Sequence, residues 1–304
     1  GRKFIMAYTE IKEKNGKDYF YRVQSIREGS KVKKKRIYLG VDLNKGVLVV
    51  REREADKELD LLSTLLDREE IKELENIRKE YKKLKKEDLK SKYEAFVSLF
   101  TYDSTTIEGN TFTLQETAQL LFEGQTPRKS LREINEIVNH KEAFDFILKY
   151  KGDINKAFIL ELHRLVIKNT LREDLVKYVG KYRGLQVYLR GVEWLPPKPK
   201  DVSGEMTSLL SWYSKSKNKL HPLILAAYFH SAFETIHPFV DGNGRVGRLL
   251  INFILHKKEF PMLNIPNKIK HEYYSALEES RHSGNLKILV DFLFKLLKRK
   301  GLYF

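Results

Sequence analysis

His237-Pro-Phe-Val-Asp-Gly-Asn-Gly-Arg-Val-Gly-Arg248 sets a base, a carboxylate, a glycine-rich turn and two guanidiniums in one unbroken stretch. Gly242 and Gly244 lack Cβ and Asn243 tolerates positive φ, so successive backbone N–H groups there can turn toward a single anion. The apolar run from Leu249 to Leu255 follows directly. It predicts that the loop opens a buried helix whose positive N-terminal end adds to the attraction. Arg245 and Arg248 stand three apart, on one face of that helix, and each offers a permanently charged fork of donors suited to phosphate oxygens. Asp241 is a hard oxygen ligand beside the cradle, of the kind that holds Mg2+ together with the phosphates of a substrate. His237 titrates near neutrality and is the candidate general base. Phe239, between base and carboxylate, reads as the anchor of the loop in the core. These are the parts of a polyphosphate-handling site.

Outward from this stretch, residues from about 96 to the end read as helices broken by short turns and one extended segment, which predicts a mainly α fold: a helical bundle around the motif helix. The extended segment is Gly184-Leu-Gln-Val-Tyr-Leu-Arg-Gly-Val-Glu-Trp-Leu-Pro-Pro197. Its alternating Val187 and Leu189 around a turn at Gly191 predict a β-hairpin. Upstream lies Ser104-Thr-Thr-Ile-Glu-Gly-Asn110, where Ser104 and Glu108 fall on one helical face and Gly109 and Asn110 are placed to end the helix. Taken alone it is a capped helix end with a solvated glutamate. Tyr273 and Tyr274 precede Leu277 at helical spacing and read as core. His163 and His230 sit on apolar helical stretches as structural histidines.

Composition bounds the rest. The chain has 304 residues, 41% of them hydrophobic, with 57 Lys and Arg against 41 Asp and Glu for a net charge of +16. No run of eighteen apolar residues and no apolar signal-type N-terminal segment occurs, so the reading is a soluble, non-secreted, cytoplasmic protein without a membrane partner. The absence of cysteine excludes disulfides and thiolate metal sites. Half of the surplus charge lies in residues 1–50, which hold 13 Lys and Arg against 5 Asp and Glu, including Lys31, Lys33, Lys34, Lys35 and Arg36. Ile5–Tyr8, Tyr19–Ile26 and Arg36–Val41 read as strands there, with turns at Asn15-Gly16 and Glu28-Gly29-Ser30, giving a small basic β-rich element that leaves nucleic acid open as a partner. Residues 51–95 read as a charged helical connector with Leu74, Ile77, Tyr81 and Leu84 on one face. Residues 96–304 form the main domain.

Residues 237–248 fit the signature His-x-Phe-x-Asp/Glu-Gly-Asn-Gly-Arg-x-x-Arg, and the chain therefore resembles the Fic (filamentation induced by cAMP) family over roughly residues 95–290. Ser104 to Asn110 resembles the inhibitory motif Ser/Thr-x-x-x-Glu-Gly/Asn of the class whose inhibitory helix precedes the Fic core, here about residues 101–110. The resemblance implies a protein adenylyltransferase that moves AMP from ATP to a Ser, Thr or Tyr hydroxyl of a protein target, itself included, and releases pyrophosphate. It implies His237 as base, Asp241 as holder of Mg2+, and the N–H groups of Gly242, Asn243 and Gly244 on phosphate oxygens. It places Arg245 and Arg248 on the β- and γ-phosphates, and Glu108, beside Ser104, as a lock on Arg248. The hairpin at about 184–197, with Val187, Tyr188, Leu189 and Gly191, resembles the flap that aligns the target chain. Tyr274 resembles the residue near the adenine pocket, although Arg281 stands where many relatives carry an asparagine. Two other readings stay open: a deadenylylating hydrolase that uses Glu108, and a basic nucleic-acid-binding protein with a vestigial site. A homodimer is compatible with the sequence.

Overall fold

A computed structural model describes residues 2–28, 31–58, 61–84, 89–189, 194–282 and 285–299, and the chain divides into two compact units, 1–73 and 74–304. In the first, β1 (Arg2–Lys14), β2 (Lys17–Glu28) and β3 (Lys31–Val41) form an antiparallel sheet in that order. Asn15 and Gly16 both take positive φ, at 54° and 70°, and set Lys14 opposite Lys17, as a two-residue hairpin turn of this chemistry does. The strands run further than the sequence pattern because the ladder is made by backbone groups, and lysines on an open face do not interrupt it. Gly29 and Ser30 of the second expected turn lie outside the described residues. The helix that follows, α1 (Lys45–Glu58), starts earlier than the connector expected from 51. Asn44 caps it by accepting from the Val47 N–H at 3.0 Å, which overrides the strand preference of Val47, Val49 and Val50. α1 packs Ala55 and Leu48 against Phe20 and Leu39 of the sheet, and Asp56 receives both Nε and Nη2 of Arg22, at 2.7 and 3.0 Å.

α2 (Arg68–Leu84) leads into the second unit and buries Leu74, Ile77 and Tyr81, as their spacing predicts. The remaining helices are α3 (Leu89–Ile107), α4 (Leu114–Ala118), α5 (Leu131–Lys149), α6 (Lys156–Ile167), α7 (Pro199–Ser216), α8 (Pro222–Ile236), α9 (Asn243–Lys257), α10 (Lys270–His282) and α11 (Lys287–Lys298). The mainly α architecture is as the sequence predicts. α9 is the centre: Val246, Leu249 to Ile251 and Phe253 to Leu255 are buried, and α3, α5, α6 and α8 pack around it. No helix among the described residues is long and apolar enough to cross a membrane.

Two segments differ from expectation. The helix sought at about 101–110 is the end of the longer α3. Its C-terminus is closed by Asn110 N–H to Thr105 O at 3.2 Å and Gly109 N–H to Thr106 O at 3.0 Å, with Gly109 at φ 102°. This paired closure makes Glu108 the cap residue of α3. In the expected hairpin, the described residues 184–189 and 194–197 form no strand ladder, since Pro196 and Pro197 have no N–H to give. Its two arms are joined instead by Gln186 Nε2, which donates to Pro196 O at 3.1 Å. Gly191, at its expected tip, lies outside the described residues.

Candidate active site

The site is the junction between α8 and α9. His237 caps α8 in the left-handed conformation, at φ 48°, which turns the chain away from the helix axis and into the loop. The loop is closed by one side chain: Asn243 Oδ1 accepts from Phe239 N–H at 3.0 Å and its Nδ2 donates to Phe239 O at 2.9 Å. Asn243 is therefore spent on holding the loop, and only its backbone N–H is left for an anion. Phe239 is fully buried and stacks on the His163 ring at 3.7 Å with an interplanar angle of 2°. His163 Nδ1 accepts from Gly180 N–H at 3.2 Å, which puts its proton on Nε2, facing Asp241 O at 3.1 Å. Burial holds this imidazole far down, at about 3, so it is a neutral strut, and His230 is likewise held by Tyr273 at 2.7 Å.

α9 begins inside the glycine stretch, with Gly242 as its N-cap at φ 82°. Gly242 cannot carry a side chain, because a Cβ would lie 2.7 Å from Ile167. The N–H groups of the first turn point out of the helix end, where an anion is favoured. Glu108 lies beside that place. A Cβ on Gly244 would fall 2.1 Å from Glu108 Oε1, so the carboxylate lies against the first turn of the helix. The same Oε1 accepts from Arg248 Nη2 at 2.7 Å, while Arg248 Nε donates to Ser104 Oγ at 3.0 Å and Nη2 to Ser104 O at 2.7 Å. Arg248 is thus a buried cation whose fork is filled by the end of α3. Burial alone would lower its pKa; the Glu108 charge more than offsets this and raises it.

Arg245, expected on the same face, turns the other way. It donates to Asp241 Oδ1 at 3.1 Å and leaves Nε and Nη1 buried without a hydrogen bond. Such donors are costly unless a ligand completes them. Asp241 also accepts Gly242 N–H at 2.6 Å. Burial tends to raise its pKa, but Arg245, the Gly242 N–H and Arg132 outweigh that and hold it below the ordinary carboxylate range. His237 is driven down to about 4, first by burial. Its Nδ1 is enclosed and unbonded, 3.8 Å from Glu234 Oε2, so an inward Nδ1–H leaves Nε2 as the basic nitrogen. Tyr274, expected in the core from its spacing, is instead half-exposed on α10, and only Tyr273 is buried; burial first, then the Glu108 charge, raises Tyr274 to about 12.

Residues 153–255 match the model of the Fic/DOC family. A crystal structure of a Fic domain-containing signaling protein from Bacteroides thetaiotaomicron aligns with a TM-score of 0.67 and 32% identity, over 75% of this chain and 93% of that one. The chain belongs to the Fic/DOC family. A segment of Fic-1 from Caenorhabditis elegans aligns with a TM-score of 0.65 and 29% identity over 84% of this chain. The protein adenylyltransferase Fic of Nematostella vectensis is 34% identical over 204 residues, 65% of this chain and 46% of its own length. The chain spans about half the length of the curated relatives it matches.

Two residues of this Fic/DOC site carry no local signal in the sequence. Arg183, only 2% exposed, spends its guanidinium on backbone: Nε on His237 O at 2.8 Å, Nη1 on Leu185 O at 3.1 Å, and Nη2 on Pro197 O at 2.6 Å and Ile236 O at 3.4 Å. It joins both arms of the 184–197 segment to the residue that bears the base. Glu234, on the last turn of α8, is half-buried beside His237 with its Oε1 enclosed and unbonded, and burial, then the Glu108 charge, pushes it up to about 8.

Proposed function

We propose that this chain is a protein adenylyltransferase of the Fic/DOC family, held in check by Glu108. The observation that carries the reading is the place of the Glu108 carboxylate: it lies against Gly244 in the first turn of α9 and accepts from the Arg248 guanidinium. The γ-phosphate of ATP needs both. With Glu108 displaced, the first-turn N–H groups of α9, Arg245, whose Nη1 now faces Glu136 at 3.8 Å, and the fork of Arg248 would hold the triphosphate, and Tyr274 would border the base. His237 Nε2 takes the proton of the target hydroxyl, the hydroxyl oxygen bonds to the α-phosphorus, and pyrophosphate leaves with the former α–β bridging oxygen. The protein contributes position and fixed dipoles at the atoms where charge builds.

A Mg2+ ion fits the donor set. Asp241 is held below the ordinary carboxylate range, its Oδ1 is engaged, and its Oδ2 faces the exposed Arg132 guanidinium at 3.6 Å, which a bound ion would replace. One carboxylate plus substrate phosphates is a common Mg2+ arrangement; the bound ion would neutralise phosphate charge. Residues 184–189 and 194–197 border the base through Arg183 and would align a target chain by its backbone, with Val187, Tyr188 and Leu189 facing it. A second reading, hydrolytic release of AMP from a modified protein, is supported by Glu108 acting electrostatically on His237, since that carboxylate could orient a water.

The test is incorporation of label from α-labelled and γ-labelled ATP with Mg2+, in the unaltered chain, Glu108→Gly, and Glu108→Gly with His237→Ala. Transfer predicts α-label alone, strongest in Glu108→Gly and abolished by His237→Ala. No α-label in any of them, with ATP binding confirmed, removes the transferase reading; faster AMP release than attachment favours the hydrolytic one.

A further inference from the structure

The N-terminal sheet has two unlike faces. Residues that alternate with the α1-covered Phe20 and Arg22 on β2, together with their cross-strand partners, share the opposite face: Tyr19 and Tyr21 on β2, Tyr8, Glu10, Lys12 and Lys14 on β1, and Lys34, Arg36 and Tyr38 on β3. Lys17, opposite Lys14, joins them at the turn. Among the described side chains that face holds five cations against one carboxylate, while Glu13 and Asp18, paired with each other across the strands, fall on the α1 side. The described residues of the outer face are therefore net positive, although Arg22 lies on the α1 side and Val23, which alternates onto the outer face, is fully buried.

The outer face also carries aromatics. Tyr38 stands between Tyr21 and Tyr19, at 5.4 and 6.3 Å between ring centroids, and is 53% exposed. Lys12 Nζ lies 5.7 Å from the Tyr21 centroid. Arg36 binds Glu10 at 2.9 Å, and Lys12 and Lys34 act on the same carboxylate, so the single acid is outnumbered where it sits. A solvated lysine face needs no rings, and a surface made only for acidic side chains gains little from several tyrosines side by side. Rings with a cation beside them, as Lys12 stands beside Tyr21, suit unpaired bases on a polyanionic backbone.

We propose that this outer sheet face is a binding platform for single-stranded nucleic acid, with bases stacking at Tyr38, Tyr19 and Tyr21 and phosphates meeting Lys12, Lys14, Lys17 and Lys34. Duplex is disfavoured, since its bases are already stacked and a gently twisted sheet has no protruding element to enter a groove. The platform is independent of the adenylyl-transfer chemistry.

The experiment is fluorescence anisotropy of the full chain with labelled oligo-dT and oligo-U of about fifteen nucleotides, a length near one such site, across a salt series, with a duplex and inorganic polyphosphate as competitors. Tyr38→Ala is expected to weaken binding about tenfold and Tyr38→Trp to restore it, as loss and recovery of one stacked base would. Lys14→Gln with Lys17→Gln is expected to flatten the log–log salt slope by about 1.4. Ile11→Ala, an exposed position on the other face, should bind as the unaltered chain does. No binding at low salt overturns the proposal. So does equal competition by duplex or polyphosphate, or a Tyr38→Ala protein that folds by circular dichroism and binds unchanged.

Discussion

Glu234 gives the fold a pH dependence that a single substitution should erase. Its carboxyl is buried at the end of α8 and its pKa rises from an ordinary 4.5 to about 8. Between those values the unfolded chain has lost the proton that the folded chain keeps. Stability therefore falls as pH rises through that window, by about 1.4 kcal/mol per unit. Below pH 4.5 the group is neutral in both states, and above about 8 it is ionised in both, so the slope is confined between them. Over the full window the loss is about 3 to 5 kcal/mol, taking the lower end for relaxation of the site once charged. For a unit of this size that is a fall in Tm of about 10 °C. Glu234→Gln keeps the volume and an acceptor beside His237 Nδ1 but cannot ionise. Differential scanning calorimetry of both proteins from pH 4.5 to 8.5 should give curves that coincide in acid and diverge steadily upward, with the glutamine protein the more stable in base. Parallel curves across the range would refute the buried protonated carboxyl.

Glu108→Gly is expected to raise α-label incorporation about five- to thirtyfold, the equivalent of roughly 1 to 2 kcal/mol; this is the low end for a buried pair because Glu108 is 35% exposed in its side chain. The same change should lower Tm, since Arg248 keeps only Ser104, and a protein both more active and more stable would contradict the lock. For His237, lowered to about 4 chiefly by burial while the Glu108 charge raises it, kcat/KM of Glu108→Gly should stay flat down to about pH 5 and drop only below that. A midpoint at 6.5 would show an ordinary solvated imidazole, and the same shift removes stability as pH falls from about 6.5 to 4. Arg183→Met leaves four carbonyl oxygens without their donor; kcat should fall at least tenfold with ATP affinity little changed, measured by single-turnover labelling and ATP titration.

The sequence announced the site where its parts are consecutive or helically spaced. His237 to Arg248 is one stretch, and Ser104 and Glu108 are one turn apart, so both motifs could be found and their meeting at Arg248 anticipated from the resemblance. Buried Leu74, Ile77 and Tyr81 followed from periodicity alone. What stayed hidden was partner choice. Arg183 looks like any basic residue before a glycine, and nothing local says that its donors reach carbonyls on both sides of a segment fourteen residues long. Glu234 lies three residues before the base but is hidden by an apolar helix whose pattern gives no hint of a buried acid. Asn243 was legible as a residue that tolerates the turn, and its clasp on Phe239 was not. Strand length and the start of α1 were misjudged because backbone ladders and the Asn44 cap outweigh side-chain preference at those ends.

On the proposed transferase reading, the carbonyls gathered by Arg183 bear on any effort to redirect this protein to a new target. Exchanging residues 184–197 for the equivalent stretch of a relative treats that stretch as a detachable module. Its two ends are nevertheless bolted, through one guanidinium, to the peptide groups of Ile236 and His237. A chimaera should keep residue 183 as arginine and preserve the spacing from it to Leu185 and Pro197; otherwise the exchange would change the aim of the base together with the identity of the guest.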